Sequence, residues 1–178
     1  MDRRHVFIDS CAFDALFKLQ VDAGQARIKG FVLCITPTVR AELEDMPDKP
    51  EEPGKREFIL ALADGVDVEP MGFFGVDTSH SSGGFGSGYL ADITQTEYMD
   101  ETKGQLKAPR KSGRPKNSTD QELLAHSIFA AVLTAEKGIG NHILRTEAKN
   151  RGAKIININE FAADGDFGAF LEEQLRHG

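Results

Sequence analysis

Four acidic side chains from four separated parts of the chain could do chemistry together: Asp9, Glu42, Asp120 and Glu136. Asp9 closes the apolar run Val6-Phe7-Ile8, a pattern that predicts a short strand over 5–9, buried on both faces as parallel sheets require. An acid at the end of such a strand loses hydration unless something compensates, so it marks a functional position. Glu42 falls early in the helix expected after a second strand, Asp120 in the first turn of a later helix, and Glu136 just after Ala131-Val132-Leu133-Thr134. Taken singly, these three have ordinary readings: a solvated helix face beside Glu44 and Asp45, a favourable charge at a helix N-terminus, and a surface residue. Taken together they point elsewhere. Ligands of open parallel sheets bind beyond the carboxyl ends of the strands. Four acids meeting there would repel one another unless a hard divalent cation joined them. Mg²⁺ (or Mn²⁺) takes oxygen ligands and keeps several waters, so few direct carboxylates suffice. The chemistry to expect is metal-assisted hydrolysis of a phosphodiester, with a metal-activated water as nucleophile.

Placing these acids at one edge requires alternating strands and helices. Phe13, Leu16, Phe17 and Val21 follow the first strand at helical spacing. Residues 31–36 read as a second buried strand, with Thr36 as N-cap and Pro37 as first residue of a helix that Pro47 and Pro50 stop. A further helix is expected over 57–63, ended by Gly65, and a short extended piece over 66–68. Ser118 with Gln121, or Thr119 with Glu122, fits a capping box opening the helix that carries Leu123, Leu124, Ser127 and Ile128. Residues 131–134 can form a strand or extend that helix, and periodicity leaves both open. A helix over 143–150 ending at Gly152, a strand over 154–158 and a terminal helix from Phe161 complete the pattern. Strands alternating with helices make the class α/β with a central parallel sheet.

Composition narrows the field. The chain has 178 residues, 40% of them hydrophobic, which suits a single domain over 1–178 with a real core. No apolar run approaches the roughly 20 residues of a membrane span, and no secretory signal is evident, so a cytoplasmic protein without membrane association is expected. The two cysteines, Cys11 and Cys34, argue against a disulfide scaffold or a cysteine zinc site. The net charge of −7 speaks against a nucleic-acid partner, but it hides a local reversal. Residues 103–116 hold six basic side chains and no acid, and 72–88 holds six glycines. Apart from a weak helix over 89–103, the stretch 72–117 therefore reads as one long Gly/Ser-rich and basic loop or insertion, able to bring a phosphate backbone to a site at Asp120. Gly113-Arg114-Pro115 matches the core of a minor-groove AT-hook, a short and common tripeptide. Gly83-Gly84-Phe85-Gly86 lacks the strand–helix context of a phosphate loop. An aspartyl-phosphate phosphatase would need an acid where Cys11 stands. His126, six residues beyond Asp120, reads as an ordinary partly buried histidine.

In these motifs the chain resembles a PIN domain, the nuclease fold of VapC-like toxins and of several RNA-processing endonucleases. The resemblance rests on HVFIDSCAF at 5–13, ITPTVRAELED at 35–45, STDQELLA at 118–125, and VLTAEKG followed by NRGAKIININEF in the last third. It places the family's first acid on Asp9 with Ser10 beside it, the second on Glu42 and the third on Asp120. The fourth family motif, V-T-x-D, is Leu133-Thr134-Ala135-Glu136 here, with Glu for Asp. Counting back from Gly152 instead puts Asn141 there, without a carboxylate. Glu136 is preferred because V-L-T supplies the required strand and Thr134 falls on the usual hydroxyl. The resemblance implies a three-layer α/β/α sandwich, Mg²⁺ or Mn²⁺ on these acids, and single-stranded RNA as substrate. It also implies an antitoxin protein as partner if the chain is a toxin, and a homodimer. The insertion 72–117 departs from the small toxins, which carry a short helical segment there. The alternatives are a silent PIN module that binds RNA or a protein, and a DNA-directed nuclease.

Overall fold

The computed structural model of the chain describes residues 4–65, 72–74, 88–90, 92–109 and 115–177. In chain order the elements are β1 (Arg4–Ile8), α1 (Ser10–Leu19), α2 (Ala23–Ile28), β2 (Phe31–Cys34), α3 (Pro37–Glu44) and α4 (Lys55–Gly65). There follow β3 (Gly72–Phe74), β4 (Gly88–Leu90), α5 (Ile93–Thr102), β5 (Lys107–Pro109), β6 (Pro115–Lys116) and α6 (Ser118–Ser127). The last third holds β7 (Ala131–Thr134), α7 (His142–Asn150), β8 (Lys154–Asn157) and α8 (Phe167–His177). No described helix is long and apolar enough to cross a membrane.

Four strands form a parallel sheet in the order β2-β1-β7-β8. The central pair is β1 and β7, in register Val6 to Ala131, Phe7 to Val132 and Ile8 to Leu133. Every residue of β2 and β7 is buried, which explains their unbroken apolar runs: a parallel strand is covered on both faces. That register also settles 131–134 as strand, since partners on both sides hold it extended. From β1 the chain moves outward to β2, then returns to the other side of β1 as β7 and moves outward again to β8. Right-handed crossovers put the helices of these two directions on opposite faces. The packing agrees: α1 meets α3 and α4, α2 meets α8, and α5, α6 and α7 meet one another. The architecture is mixed α/β and fits an α/β sandwich. Between β1 and β7 the strand order reverses, which makes the gap beyond their carboxyl ends the topological switch point.

Local expectations met tertiary competition in several places. Thr36 caps α3 through its hydroxyl, with Pro37 opening the helix, as read from the sequence. Gly152 follows α7 with φ +82°, in the left-handed conformation a C′ glycine supplies. The capping box expected at α6 is absent. Asn117 precedes the helix at φ 74° without a side-chain cap, because Thr119, Gln121 and Glu122 bond to other elements instead. Helix α2 escaped the sequence reading because it buries only Ala26 and so shows no apolar stripe. The expected extended piece 66–68 and the tip of the AT-hook-like tripeptide, 113–114, lie outside the described residues.

The largest correction concerns 72–117. The sequence predicts no regular element over 72–88 and a weak helix over 89–103 within one long excursion; instead β3 pairs with β4, β5 pairs with β6, and the helix, α5, belongs to the core. Asp92 and Gln95 form a capping box at the start of α5. Gln95, Tyr98 and Thr102 are fully buried, and Gln95 Nε2 donates to Ala125 O at 3.0 Å. The signal was weak because polar residues occupy most of this core-facing stripe. Truncating Tyr98 to Ala should therefore cost about 3–5 kcal/mol, the range for a buried aromatic, measured by urea unfolding. A cost below about 1 kcal/mol, typical of an exposed loop, would place residues 93–102 outside the core.

Candidate functional site

Asp9 follows β1 directly and is 7% exposed. Its backbone N–H donates to Leu133 O at 2.9 Å, extending the β1–β7 ladder to the switch point. By position it is the N-cap of α1, with φ −71° and ψ 149°. Elsewhere Asp22, Thr36 and Asp92 in this position use their side chains to cap. Asp9 does not, forgoing roughly 0.5–2 kcal/mol of helix stabilisation. Its carboxylate turns instead to two neutral donors on one oxygen. Thr134 Oγ1 and Cys11 Sγ each lie 2.9 Å from Asp9 Oδ2. The other oxygen, Oδ1, meets only Ser10 Oγ at 3.5 Å among the described residues, a marginal contact that leaves much of its accepting capacity unused.

The helices that carry Glu42 and Asp120 are joined by a clasp between α3 and α6. Thr119 Oγ1 donates to Glu42 Oε1 at 3.0 Å, and Thr38 Oγ1 donates to Glu122 Oε2 at 2.5 Å. Each helix offers one threonine and one glutamate to the other. Asp120 is next to Thr119 in the first turn of α6. Gly140, from the loop after β7, packs over it: a Cβ on Gly140 would sit 3.3 Å from Asp120 Cβ, and its φ of +67° suits glycine. Glu42 and Asp120 are thus borne by helices joined through this clasp, while Asp9 stands at the end of β1. The sequence reading took Glu122 only as a capping partner and missed its place in this clasp.

Glu136 is exposed, and its backbone N–H donates to Thr134 Oγ1 at 3.2 Å. The hydroxyl that holds Asp9 therefore also holds the backbone of the fourth candidate acid. Asn141, the alternative, is the N-cap of α7, and its Oδ1 accepts from Leu144 N–H at 3.0 Å. His126 is buried and stacks on Phe7 with ring centroids 4.2 Å apart, so it is a core residue beneath β1.

Cys11 is the site member that residue types alone did not flag. It is half-buried, accepts from Ala135 N–H at 3.4 Å and lies 3.2 Å from Thr134 Oγ1. Burial first, and the Asp9 charge second, push its thiol from an ordinary 9.0 up to about 12. It stays a protonated donor at neutral pH, so the donor set facing a ligand is oxygen. As placed, no three His, Cys, Asp or Glu side chains among the described residues are close enough to hold a metal ion. The donor chemistry nonetheless suits a hard cation, since Mg²⁺ binds through one or two carboxylates with water and substrate phosphate completing its shell. No protein-family model matches the chain, and no curated protein matches its sequence.

The raised thiol has a measurable consequence. A neutral form favoured by folding stabilises the native state below the unfolded pKa, and that contribution fades as pH rises from about 9 towards about 12. Alkylation of native Cys11 by iodoacetamide at pH 8 should run on the order of a thousand-fold slower than that of a free cysteine, whose pKa is near 8.5. Asp9→Asn, which removes the second cause, should speed it. Equal rates for native Cys11 and free cysteine would contradict the thiol–carboxylate contact.

Proposed function

We propose that the chain is a metal-dependent nuclease of PIN type that hydrolyses single-stranded RNA. The observation that carries this reading is the Asp9 carboxylate. It stands at the switch point, released from its capping role, held on one oxygen by Thr134 and Cys11, with much of the other's accepting capacity unused. Asp9, Glu42, Asp120 and Glu136 would hold Mg²⁺ or Mn²⁺, which supplies an activated water and offsets charge developing on the phosphate. The protein's part is to fix the acids at one edge and keep Cys11 protonated beside them.

The preference for a polyanionic substrate rests on the stretch 103–116, with six basic residues and no acid. Its described ends pair as the β5–β6 hairpin, with Lys107 directly opposite Lys116. The hairpin leads through Asn117 into α6, so it enters beside Asp120. Such contacts would be sequence-independent and salt-sensitive.

A second reading, a PIN module that binds RNA without cleaving it, is favoured by the fourth position, where Glu136 is exposed and Asn141 serves as a helix cap. Cleavage of a labelled single-stranded RNA in Mn²⁺ separates the two. The nuclease reading expects cleavage that EDTA stops, and that Asp9→Asn and Asp120→Asn each reduce to the no-metal background while circular dichroism stays native. Wild-type levels of cleavage in both variants would refute the assignment. RNA binding without cleavage would favour the silent module.

A further inference from the structure

Among the described residues the other half-buried arginines have their charge offset. Arg40 and Arg151 pair with carboxylates, and Arg56 donates to Glu44 O and Met46 O at the C-terminal end of α3, where the helix dipole is negative. Arg145 of α7 has neither. Its Nη1 donates to Gly138 O at 3.2 Å and to Gly140 O at 2.9 Å, and among the described residues no carboxylate pairs with it. Two loop carbonyls orient the head without cancelling its charge. Both bonds use one nitrogen. Nε and Nη2, which carry three N–H groups, have no partner among the described residues, yet neither is a buried atom lacking one. These donors therefore face solvent.

Covalent geometry fixes which edge of the head stays open. Nη1 lies on the Cδ side, and that side rests against Gly138: a Cβ there would stand 2.7 Å from Cδ and 2.8 Å from Nη1, so only a glycine lets the head lie so close. Nε–H and one Nη2–H point away from that side, parallel to each other. Such a pair is the fork that grips two oxygens of an oxyanion. Gly140 joins the fork to the candidate site. Arg145 bonds to its carbonyl, and a Cβ on Gly140 would sit 3.3 Å from Asp120 Cβ.

We propose that the Nε–Nη2 edge of Arg145 binds a phosphate of a single-stranded RNA backbone and holds the strand against the flank of Asp120. This rests on the RNA substrate proposed above but on no metal, since the fork needs only an oxyanion. A phosphate chain is favoured over a lone carboxylate because it also engages the basic stretch 103–116, which leads into α6 and Asp120. Held by two carbonyls, the head gives up little freedom when the anion arrives. A lysine there would offer charge without the parallel pair.

Fluorescence anisotropy of a labelled single-stranded RNA with the full chain in EDTA tests this, read across a salt series, with urea unfolding as a control for stability. Wild type should bind, more weakly as salt rises. Arg145→Gln, neutral but still able to donate to a loop carbonyl, should bind about 10-fold more weakly. Its slope of log affinity against log salt should be shallower by about 0.7, the share of one phosphate contact on a single strand. Arg145→Lys should keep the slope yet bind more weakly than wild type, and it decides the matter if Arg145→Gln fails to fold. Wild-type affinity in either variant overturns the proposal and leaves the RNA reading standing. A loss in Arg145→Gln at unchanged slope also overturns it, because Arg145 would then act through the fold. The expected pattern without cleavage in Mn²⁺ supports the fork and removes the nuclease. Failure of wild type to bind RNA removes both.

Discussion

The candidate site depends on how a nearly buried carboxylate is kept at the switch point of the sheet. Asp9 is 7% exposed, and burying a charge is costly unless donors replace the lost water. A lysine or arginine partner would have answered that cost and cancelled the charge. Two neutral donors, Thr134 Oγ1 and Cys11 Sγ, answer it without cancelling anything. The carboxylate therefore keeps an attraction for an external cation. Both donors come from the structure that makes the switch point: Thr134 ends β7 and Cys11 lies in the first turn of α1. Pairing of β1 with β7 and orientation of Asp9 are one event, since the Asp9 N–H extends the same ladder.

Around this centre, local stabilisation is repeatedly given up for tertiary contact. Asp9 leaves α1 uncapped. Thr119 and Glu122 pass over a capping box to clasp α3, and Gln121 turns to Met99 O and Thr102 Oγ1 of α5. A cap is worth roughly 1 kcal/mol. A polar group buried without a partner loses about 1–3 kcal/mol, so in a packed interface the longer-range bond wins. The first turn of α6 is consequently tied to α3 on one side and α5 on the other. Asp120, lying between these ties, has little freedom to move independently of Glu42.

Charge is distributed unevenly along the chain. It has 28 acidic and 21 basic residues, yet residues 103–116 hold six basic side chains and no acid. Net charge alone therefore hides a local reversal of sign in the sequence.

Much of the fold was legible in the amino-acid order. The runs at 6–8 and 31–34, interrupted by helical spacing, predict a parallel sheet because strands covered on both faces tolerate such unbroken apolarity; residues 131–134 read as strand or helix until pairing with β1 and β8 decides for strand. Thr36-Pro37 and Gly152 announce their helix ends through short-range sterics and hydrogen bonding, which sequence carries directly. Asp9 was legible for the same reason, an acid where the pattern demands an apolar residue or a turn. Cys11 and the Thr119–Glu42 clasp were not. Their roles are set by partners 123 and 77 residues away. Helix α5 reads only as a weak helix because of its polar letters, and its place in the core was not legible: Gln95 and Thr102 are core residues satisfied by neighbours the sequence does not display. Local propensities decide where elements begin and end. Only packing decides which polar groups find partners, because a buried hydrogen bond depends on the position in space of both of its ends.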